Sequence, residues 1–281
     1  MKLIRYGKTG QEKTGVIIGE ISYDTSGFGE DYDEVFFASD GIKRLSDWIS
    51  ANDLKAIDSG VRLGPPVARP SKIVCIGLNY RLHAIESGME IPKEPVVFFK
   101  ATSAIVGPND DMILPKDATK ADWEVELAVV IGKKASYVSE ENALDYVGGY
   151  LVMNDYSERA FQLERGGNWV KGKSCDTFAP LGPFLATPDE IDDVHDLNLW
   201  LKLNGETVQN SNTSDFIFNI PKVISYLSNF MTLLPGDVIS TGTPSGVGMG
   251  MTPPRYLQAG DVVELGIDGL GSSRQVVKGH H

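Results

Sequence analysis

The feature that most constrains the fold is a series of short apolar runs between residues 72 and 267. Each run is rich in β-branched or aromatic residues and is bounded by Gly, Pro, Asn or Asp, which is typical of β-strands. The runs are KIVCIG, PVVFFK, EVELAVVIG, GYLVMND, LNLWLKLN, DVISTG and DVVELGI. Helical periodicity is confined to fewer segments, chiefly SEENALDYVGG and IPKVISYLSNFM. The sequence therefore predicts a strand-rich α+β fold.

A proline-rich stretch predicts the domain boundary. VRLGPPVARPSK contains Pro65, Pro66 and Pro70 and separates a polar segment from the first apolar run. Such stretches are typical of linkers between domains. We predict a small N-terminal domain over residues 1–68 and a large, strand-rich catalytic domain over residues 69–281.

Composition excludes several classes of partner. The formal net charge of -12 and a pI near 4.8 argue against a surface that binds nucleic acid or anionic membranes. No apolar run approaches the roughly 18 residues of a transmembrane helix, and the N-terminus lacks the apolar region of a signal peptide. We therefore expect a cytoplasmic protein. With only Cys75 and Cys175, we expect reduced thiols rather than disulfides.

One motif resembles a nucleotide site in its letters alone. GGNWVKGKS, residues 166–174, has the G-x-x-x-x-G-K-S spacing of a P-loop. A P-loop needs a strand that leads into it and a helix that leaves it. Upstream, SERAFQLER has a charged, helical pattern, and downstream CDTFAPLGPF contains two prolines that prevent a helix. We do not expect a nucleotide here, so Lys173 needs another explanation.

Two acidic residues share one face of a predicted strand. In DWEVELAVVIG, strict alternation directs Glu124 and Glu126 to the face opposite Trp123. That face becomes apolar after Glu126, which favours a partly enclosed environment. A solvated strand face with unpaired acids is the alternative that this segment leaves open.

A third acid ends another predicted strand. GGYLVMNDYSERAFQ predicts a strand that ends at Asp155 and continues into a helix, with Asp155, Arg159 and Gln162 on one face. Glu124, Glu126 and Asp155 are hard oxygen donors, which suit Mg²⁺, Mn²⁺ or Ca²⁺. A salt-bridge network in which Arg159 neutralises the acids is the open alternative.

Few histidines are available for chemistry. His83 and Glu86 lie three residues apart in GLNYRLHAIESGMEIPKEP, on one face if the segment forms a helical turn. A carboxylate beside an imidazole is the arrangement of a general base that acts on water, although this segment by itself favours a surface contact between the two side chains. His195, in an acidic loop, is predicted to be only solvated. We interpret the terminal His280 and His281 as the remnant of a purification tag.

Seven ordered segments make the chain resemble a known family. Over residues 70–272, their order and spacing are similar to those of the fumarylacetoacetate hydrolase family. The segments are GLNYRLHAIE, DWEVELAVVIG, NDYSERAFQ, GKSCDTFAPLGPF, LKLNGETVQNSNT, LLPGDVISTGTPSGVG and YLQAGDVVELGIDGLG. The P-loop letters fall inside the G-K-S-x-D segment of this pattern.

The resemblance implies a fold and a set of site residues. It implies a mixed β-roll catalytic domain, usually a homodimer, that binds Mg²⁺ or Mn²⁺ through three carboxylates. The positions that match the family are Glu124, Glu126 and Asp155 for the metal, His83 and Glu86 for the general base and its partner, Lys173 and Gln162 for polar groups of the site, Thr243 for a substrate-carboxylate contact, Arg159 for a supporting position, and Lys100 for a further matching stretch that we assign to substrate binding.

The chain also departs from the family pattern. Animal fumarylacetoacetase resembles this chain but has a fourth acidic ligand upstream, whereas nothing between Lys72 and Arg81 is acidic here. Relatives often have N-Y-x-D-H where this chain has Leu82 before the histidine. This exchange changes the electrostatics of the segment expected to order over the substrate.

The function that the resemblance implies is hydrolysis of a carbon–carbon bond. SERAFQLERGGNWVKGKSCDTF and YLQAGDVVELGIDGLG are similar to bacterial 2,4-diketo-3-deoxy sugar-acid hydrolases of L-fucose and L-rhamnose breakdown. We therefore predict a divalent-metal-dependent enzyme that cleaves an acylpyruvate, a small keto acid, to pyruvate and a hydroxy acid. Ureidoglycolate lyase, oxaloacetate decarboxylase and a non-catalytic metal-stabilised scaffold are the alternatives.

Overall fold

The computed structural model describes residues 1–280, and His281 of the suspected tag lies outside the described residues. Within them the strands are β1 (Lys2–Tyr6), β2 (Lys13–Ile18), β3 (Ile21–Asp24), β4 (Lys55–Ala56), β5 (Leu63–Gly64), β6 (Ile73–Gly77), β7 (Val96–Lys100), β8 (Ile105–Val106), β9 (Met112–Ile113), β10 (Ala121–Asp122), β11 (Val125–Ile131), β12 (Val147–Asn154), β13 (Ser157–Glu158), β14 (Ala179–Pro180), β15 (Leu185–Ala186), β16 (Asn198–Leu203), β17 (Glu206–Asn212), β18 (Val238–Ser240), β19 (Val262–Ile267) and β20 (Gly271–Lys278). The α-helices are α1 (Glu34–Ala38), α2 (Gly41–Ala51), α3 (Arg81–Glu86), α4 (Val170–Lys173) and α5 (Ile220–Ser228).

Two large sheets form the body of the molecule. The first has eleven strands in the order β4-β3-β2-β1-β15-β12-β11-β18-β6-β7, with β5 paired to β1. Within it, β11 is antiparallel to β12 and β18, whereas β18 is parallel to β6. The second has five strands in the order β17-β16-β19-β20-β9. This mixed pairing confirms the strand-rich α+β fold, and each of the seven apolar runs contains a strand.

The centre of the first sheet is covered on both faces. Every residue of β11 and β12 is buried, and the second sheet packs against them through β16, β19 and β20. A strand that is buried on both faces has a continuous apolar sequence, which explains why the alternation in DWEVELAVVIG gives way to apolar residues. The acids at the start of β11 are consequently enclosed.

Two helical predictions need correction. SERAFQLER does not form an α-helix, because Ser157–Glu158 pairs with Ala121–Asp122 as a short antiparallel ladder and a single π-helical turn follows at Ala160–Glu164. Asp155 and Arg159 therefore do not share a helical face. SEENALDYVGG forms a 3-10 helix, Glu140–Tyr146, that packs against α5.

α5 confirms the helical periodicity of IPKVISYLSNFM as far as Ser228, where the helix ends before Phe230 and Met231. Asn219 caps its N-terminus by accepting a hydrogen bond from the Lys222 amide, and Pro221 lies in the first turn. The buried face is formed by Ile220, Val223, Ile224, Leu227 and Ser228.

The N-terminal segment continues the large sheet. β1 pairs with β2 and also with β15, where Lys2 lies opposite Ala186 and Leu3 opposite Leu185. Whether residues 1–68 form an independent domain stays a prediction, as does the homodimer. In the part of the chain that the structure describes, no helix combines the length and apolar character needed to span a membrane.

We predict that the stability of the fold depends on β11. Leu127 is fully buried at the centre of this strand, so Leu127→Ala should lower the free energy of unfolding by about 2–5 kcal/mol. Urea denaturation measures the change. Leu144→Ala is the control, because Leu144 is 43% exposed. Equal losses in the two variants would contradict this assignment of the core.

Candidate active site

Strand pairing brings the three predicted metal ligands together. In the β11–β12 ladder Val125 lies opposite Asn154, so the flanking Glu124 and Asp155 are neighbours, and the Asp155 amide donates to the Glu124 carbonyl at 2.9 Å. One carboxylate oxygen each from Glu124, Glu126 and Asp155 lies within 4.8 Å of the others. Their residues are 5%, 2% and 0% exposed. The partly enclosed environment is confirmed, and the solvated-face alternative is wrong.

Two lysines contact this cluster from within the protein. Lys173 Nζ donates to Glu124 Oε2 at 2.6 Å and to Asp155 Oδ2 at 2.9 Å. Lys100 Nζ donates to Asp155 Oδ1 at 2.5 Å and to the Tyr156 carbonyl at 2.9 Å. Both lysines are buried, so each ammonium depends on these carboxylates for compensation.

Arg159 joins the cluster to an acid that the sequence analysis missed. Its Nε donates to Asp122 Oδ2 at 2.8 Å, and its Nη1 donates to Gln162 Oε1 at 3.1 Å. Its Nη2 forms an ion pair with Glu124 Oε1 at 2.7 Å, although the geometry is not that of a hydrogen bond. The strand alternation could have identified Asp122 as part of the cluster, because it places this residue on the same face as Glu124 and Glu126.

Asp122 also fixes a loop. It accepts hydrogen bonds from the amides of Gly248 at 2.7 Å and Met249 at 3.0 Å. It thereby ties the segment of residues 246–252 to Arg159 and hence to the acidic cluster.

Glu126 is the acid without a cation. Its Oε2 accepts hydrogen bonds from the Ser240 hydroxyl and from the Gly242 amide, the latter at 2.9 Å, and among residues 1–280 it forms no salt bridge. Burial, followed by the negative charges of Asp155 and Glu124, raises the pKa of Glu126 well above its ordinary value. A protein-only salt-bridge network therefore leaves one buried carboxylate uncompensated.

The pKa of Glu124 shifts in the opposite direction. Burial acts to raise it, but the positive charges of Lys173 and Arg159 outweigh burial and lower the pKa to about 2. The pKa of Lys173 is itself raised, since Asp155 and Glu124 outweigh the effect of burial. The surroundings therefore favour the charged forms of Glu124 and Lys173 but the neutral form of Glu126.

The arrangement fits a divalent cation. Four buried carboxylates (Asp122, Glu124, Glu126, Asp155) face three buried cations (Lys100, Arg159, Lys173). Three of the carboxylates converge closely enough to share one ion. Carboxylate oxygens are the ligands that hard divalent cations prefer, and a cation at this point compensates Glu126.

His83 and Glu86 form a second group of titratable side chains. Both lie on α3, with His83 Nδ1 3.3 Å from Glu86 Oε2. His83 is 7% exposed, so the pair is not the surface contact that the sequence left open. The Gly246 amide donates to both carboxylate oxygens of Glu86, at 2.9 and 3.1 Å. Gly246 has a φ of +100°, and a Cβ there would lie 1.9 Å from the Val208 carbonyl, so this contact requires glycine.

One cavity of about 630 Å³ connects the two groups. The predicted site residues that border it are His83, Glu86, Glu124, Glu126, Arg159, Gln162, Lys173 and Thr243. Asp155 and Lys100 do not border it. The ammonium of Lys100 contacts Asp155 and not the cavity. Lys100 can therefore influence the site through Asp155. A direct contact between Lys100 and substrate stays a prediction.

Thr243 is positioned by a buried glutamine. Its hydroxyl donates to the Val125 carbonyl at 3.0 Å and accepts from Gln209 Nε2 at 2.9 Å. Gln209 Oε1 accepts the Val125 amide at 3.0 Å. Gln209 belongs to β17 of the second sheet, so sequence distance concealed its contact with β11.

The other residues that the sequence singled out are not part of this candidate active site. The P-loop letters have neither of their required flanks, because a π-helical turn precedes them and α4 ends at Lys173. His195 does not border the cavity, and its side chain is 32% exposed. Cys75 and Cys175 are free, as expected, and burial raises the pKa of both thiols, which disfavours a nucleophilic thiolate.

The unpaired carboxylate of Glu126 generates a prediction for metal-free protein. Because its folded-state pKa lies above the ordinary value of 4.5, its stabilising contribution is present below that pH and is lost as pH rises. Metal-free Glu126→Gln should therefore be more stable than metal-free native protein at pH 7 to 8, and the difference should vanish near pH 4. Thermal unfolding after chelator treatment measures it.

Adding metal should reverse this order. Mn²⁺ at a hundred times its Kd should stabilise the native protein by about 2.7 kcal/mol and so raise its Tm. The Tm of Glu126→Gln should rise much less. Glu141→Gln, which removes an exposed carboxylate on the 3-10 helix, is the matched control. A native-like response of Glu126→Gln to Mn²⁺ would show that the ion binds elsewhere.

Comparisons with known proteins give the chain close relatives. A Burkholderia cenocepacia protein named only as a hydrolase is 52% identical over 278 residues, which cover 98% of each chain. The structure is similar to that of a fumarylacetoacetate hydrolase from Exiguobacterium antarcticum, with 33% identity, a TM-score of 0.85 and full coverage of both chains. It is also similar to a maleylpyruvate hydrolase from Sphingobium sp. SYK-6 in complex with manganese(II) and pyruvate, with 30% identity, a TM-score of 0.84 and full coverage of both chains.

A family model covers most of the chain. Residues 72–278 match the C-terminal domain of fumarylacetoacetate (FAA) hydrolase. This range contains both groups of titratable side chains and the cavity between them. The chain belongs to the fumarylacetoacetate hydrolase family, as its ordered motifs predicted.

Proposed function

We propose that the protein is a hydrolase that depends on Mg²⁺ or Mn²⁺ and cleaves the carbon–carbon bond of an acylpyruvate to release pyruvate. The observation that carries this proposal is that one cavity is bordered both by the Glu124 and Glu126 carboxylates and by the His83–Glu86 pair. The relative that holds manganese and pyruvate supports the same chemistry, since pyruvate is the product that this cleavage leaves.

The reaction adds water across the bond that breaks. In R–CO–CH₂–CO–COO⁻, water attacks the acyl carbonyl, the bond from this carbon to the CH₂ breaks, and the CH₂ carbon gains a proton to give pyruvate. A divalent cation bound by the three carboxylates supplies Lewis-acid stabilisation to the 2-oxo acid end of the substrate. Side chains of the protein would carry out the proton transfer and stabilise the remaining negative charge.

His83 would act as the general base. Its Nδ1 faces the Glu86 carboxylate, an arrangement that holds the proton on Nδ1 and leaves the lone pair of Nε2 free to take a proton from water. Glu86 is held in turn by the Gly246 amide. The imidazole is thus oriented before substrate binds.

Lys173 and Gln162 would stabilise negative charge on the substrate. The ammonium of Lys173 uses two of its three N–H groups on Glu124 and Asp155, which leaves one for a substrate oxygen. Gln162 uses its carbonyl oxygen on Arg159, so its amide NH₂ remains available. Donors placed in advance of reaction are effective because they need no reorganisation.

The general base distinguishes hydrolysis from decarboxylation. Decarboxylation of oxaloacetate requires no attacking water, so a positioned His83–Glu86 pair favours a hydrolase. Among acylpyruvates, the sequence resemblance predicts a 2,4-diketo-3-deoxy sugar acid, such as that from L-fuconate or L-rhamnonate, and this identity stays a prediction.

We predict that His83→Ala loses turnover but keeps its metal. Pyruvate release from an acylpyruvate should fall about 10²–10⁴-fold, the range of general-base catalysis, because no other imidazole of residues 1–280 borders the cavity. A dehydrogenase-coupled assay measures pyruvate, and elemental analysis measures bound Mn²⁺. His195→Ala, which changes a histidine outside the cavity, should keep its turnover.

Other outcomes identify other functions. Full turnover of His83→Ala on acylpyruvates would exclude the proposed mechanism. Activity confined to ureidoglycolate or to oxaloacetate would replace the hydrolase with a lyase or a decarboxylase. Absence of every activity in native protein, with metal bound, would favour a metal-stabilised scaffold.

A further inference from the structure

The outer part of the cavity differs in character from its inner end. We define its mouth by the lining side chains that remain half-buried or exposed. Six are apolar (Leu78, Met89, Leu163, Trp169, Met249 and Met251) and three are polar (Glu86, Ser87 and Thr252). At the inner end, Glu124, Glu126, Arg159 and Lys173 are all buried. The cavity therefore changes from charged inside to mostly apolar at the mouth.

An aromatic wall connects the inner end with the mouth. Trp169 lies against Gly77, where an added Cβ would come within 2.8 Å of its ring. Its ring meets Phe98 edge to face, with centroids 5.3 Å apart. The Lys173 ammonium lies 5.1 Å from the centroid of Phe98. An apolar surface therefore begins directly beside a group proposed to bind the reacting end of the substrate.

Two methionines of the mouth, Met249 and Met251, lie on an anchored loop. Asp122 accepts the amides of Gly248 and Met249, and Glu86 accepts that of Gly246. These contacts fix the backbone that carries Met249 and Met251. Methionine side chains are flexible and polarisable, so they pack against apolar groups of varied shape.

In the part of the chain that the structure describes, the mouth offers no lysine or arginine to pair with a second negative charge on the substrate. The two cationic side chains that line the cavity, Arg159 and Lys173, are already paired with acids of the inner end. Basic side chains of nearby segments bind elsewhere: Arg81 donates to a carbonyl and Arg255 to a carboxylate outside the cavity.

The polar side chains at the mouth are few. Among residues 1–280 they are Glu86, whose carboxylate accepts the Gly246 amide and faces His83, and the uncharged hydroxyls of Ser87 and Thr252. A carboxylate or a chain of hydroxyls on the substrate would lose water here with little compensation, which is unfavourable.

Resting on the acylpyruvate hydrolase proposed above, we propose that the acyl substituent R of the substrate is a neutral, apolar alkyl or aryl group. The cavity mouth thus selects against both the polyhydroxylated tail of a sugar acid and the charged tail of a dicarboxylate such as maleylpyruvate. This substrate class departs from the sugar acid that the sequence resemblance predicts.

The test uses the full chain loaded with Mn²⁺ and a matched series of acylpyruvates. R is methyl, propyl, pentyl or phenyl, and two further members carry a terminal carboxylate or vicinal hydroxyls on a chain of propyl length. We expect kcat/KM for pyruvate release to rise about fourfold per added methylene until the mouth is filled. The carboxylated and hydroxylated members should fall at least tenfold below their alkyl counterpart.

Variants at the mouth localise the effect. Met251→Gln keeps the approximate shape of the side chain but adds an amide, so the ratio of kcat/KM for pentyl over methyl should fall about tenfold. Met251→Leu should keep a ratio near that of native protein. Phe230→Gln is the control, because it makes the same kind of exchange at a residue that is 67% exposed and outside the cavity.

Calorimetric binding of the same series separates this inference from the proposed function. If none of the acylpyruvates is cleaved but the alkyl and aryl members bind more tightly than the polar ones, the hydrolase proposal fails and the apolar mouth stands. If the carboxylated or hydroxylated member binds or reacts as well as its alkyl counterpart, the inference is overturned, whatever bond is cleaved.

Discussion

The burial of three carboxylates at one end of the β11–β12 ladder is the constraint on which the site depends. Antiparallel pairing fixes Glu124, Glu126 and Asp155 side by side, with ligand oxygens within 4.8 Å of one another. At an effective dielectric near 20, each pair of like charges at that separation costs about 3 kcal/mol, before desolvation is counted. Lys100, Lys173 and Arg159 offset most of this cost but leave Glu126 without a partner. A chain that keeps such an arrangement gains from a divalent cation at the same point, because the cation compensates the remaining charge and supplies Lewis acidity.

Two further carboxylates connect this charged centre with the parts of the protein that meet the substrate. Asp122 holds Arg159 on one side and the loop amides of Gly248 and Met249 on the other. Glu86 holds His83 and the amide of Gly246. The general base and the mouth of the cavity are therefore tied to one loop, and that loop is tied to the acidic cluster. Such support keeps the side chains of an active site within the narrow geometry that catalysis requires.

Much of this could be predicted from the sequence, and the reasons for the exceptions are physical. The strands were predictable because short apolar runs between turn-forming residues usually form β-strands. The burial of the acids was predictable because the polar alternation ends after Glu126. The helix expected after Asp155 was wrong because Ser157–Glu158 pairs with β10, a tertiary contact that local periodicity does not encode. Local periodicity also failed to reveal that Lys173, not Arg159, bridges Glu124 and Asp155. Gln209 was missed for the same reason, since it reaches Val125 from the second sheet. The apolar mouth escaped notice because its residues come from separate segments, each of which contributes one or two side chains.

The central claim is that acids from two strands bind one divalent ion beside His83. Anomalous scattering from a crystal grown with Mn²⁺ tests it most directly. The account predicts one strong anomalous peak at coordination distance from carboxylate oxygens of Glu124, Glu126 and Asp155, next to the cavity that His83 borders. A fully occupied peak elsewhere, or none among these three side chains in protein that is active with Mn²⁺, would contradict it.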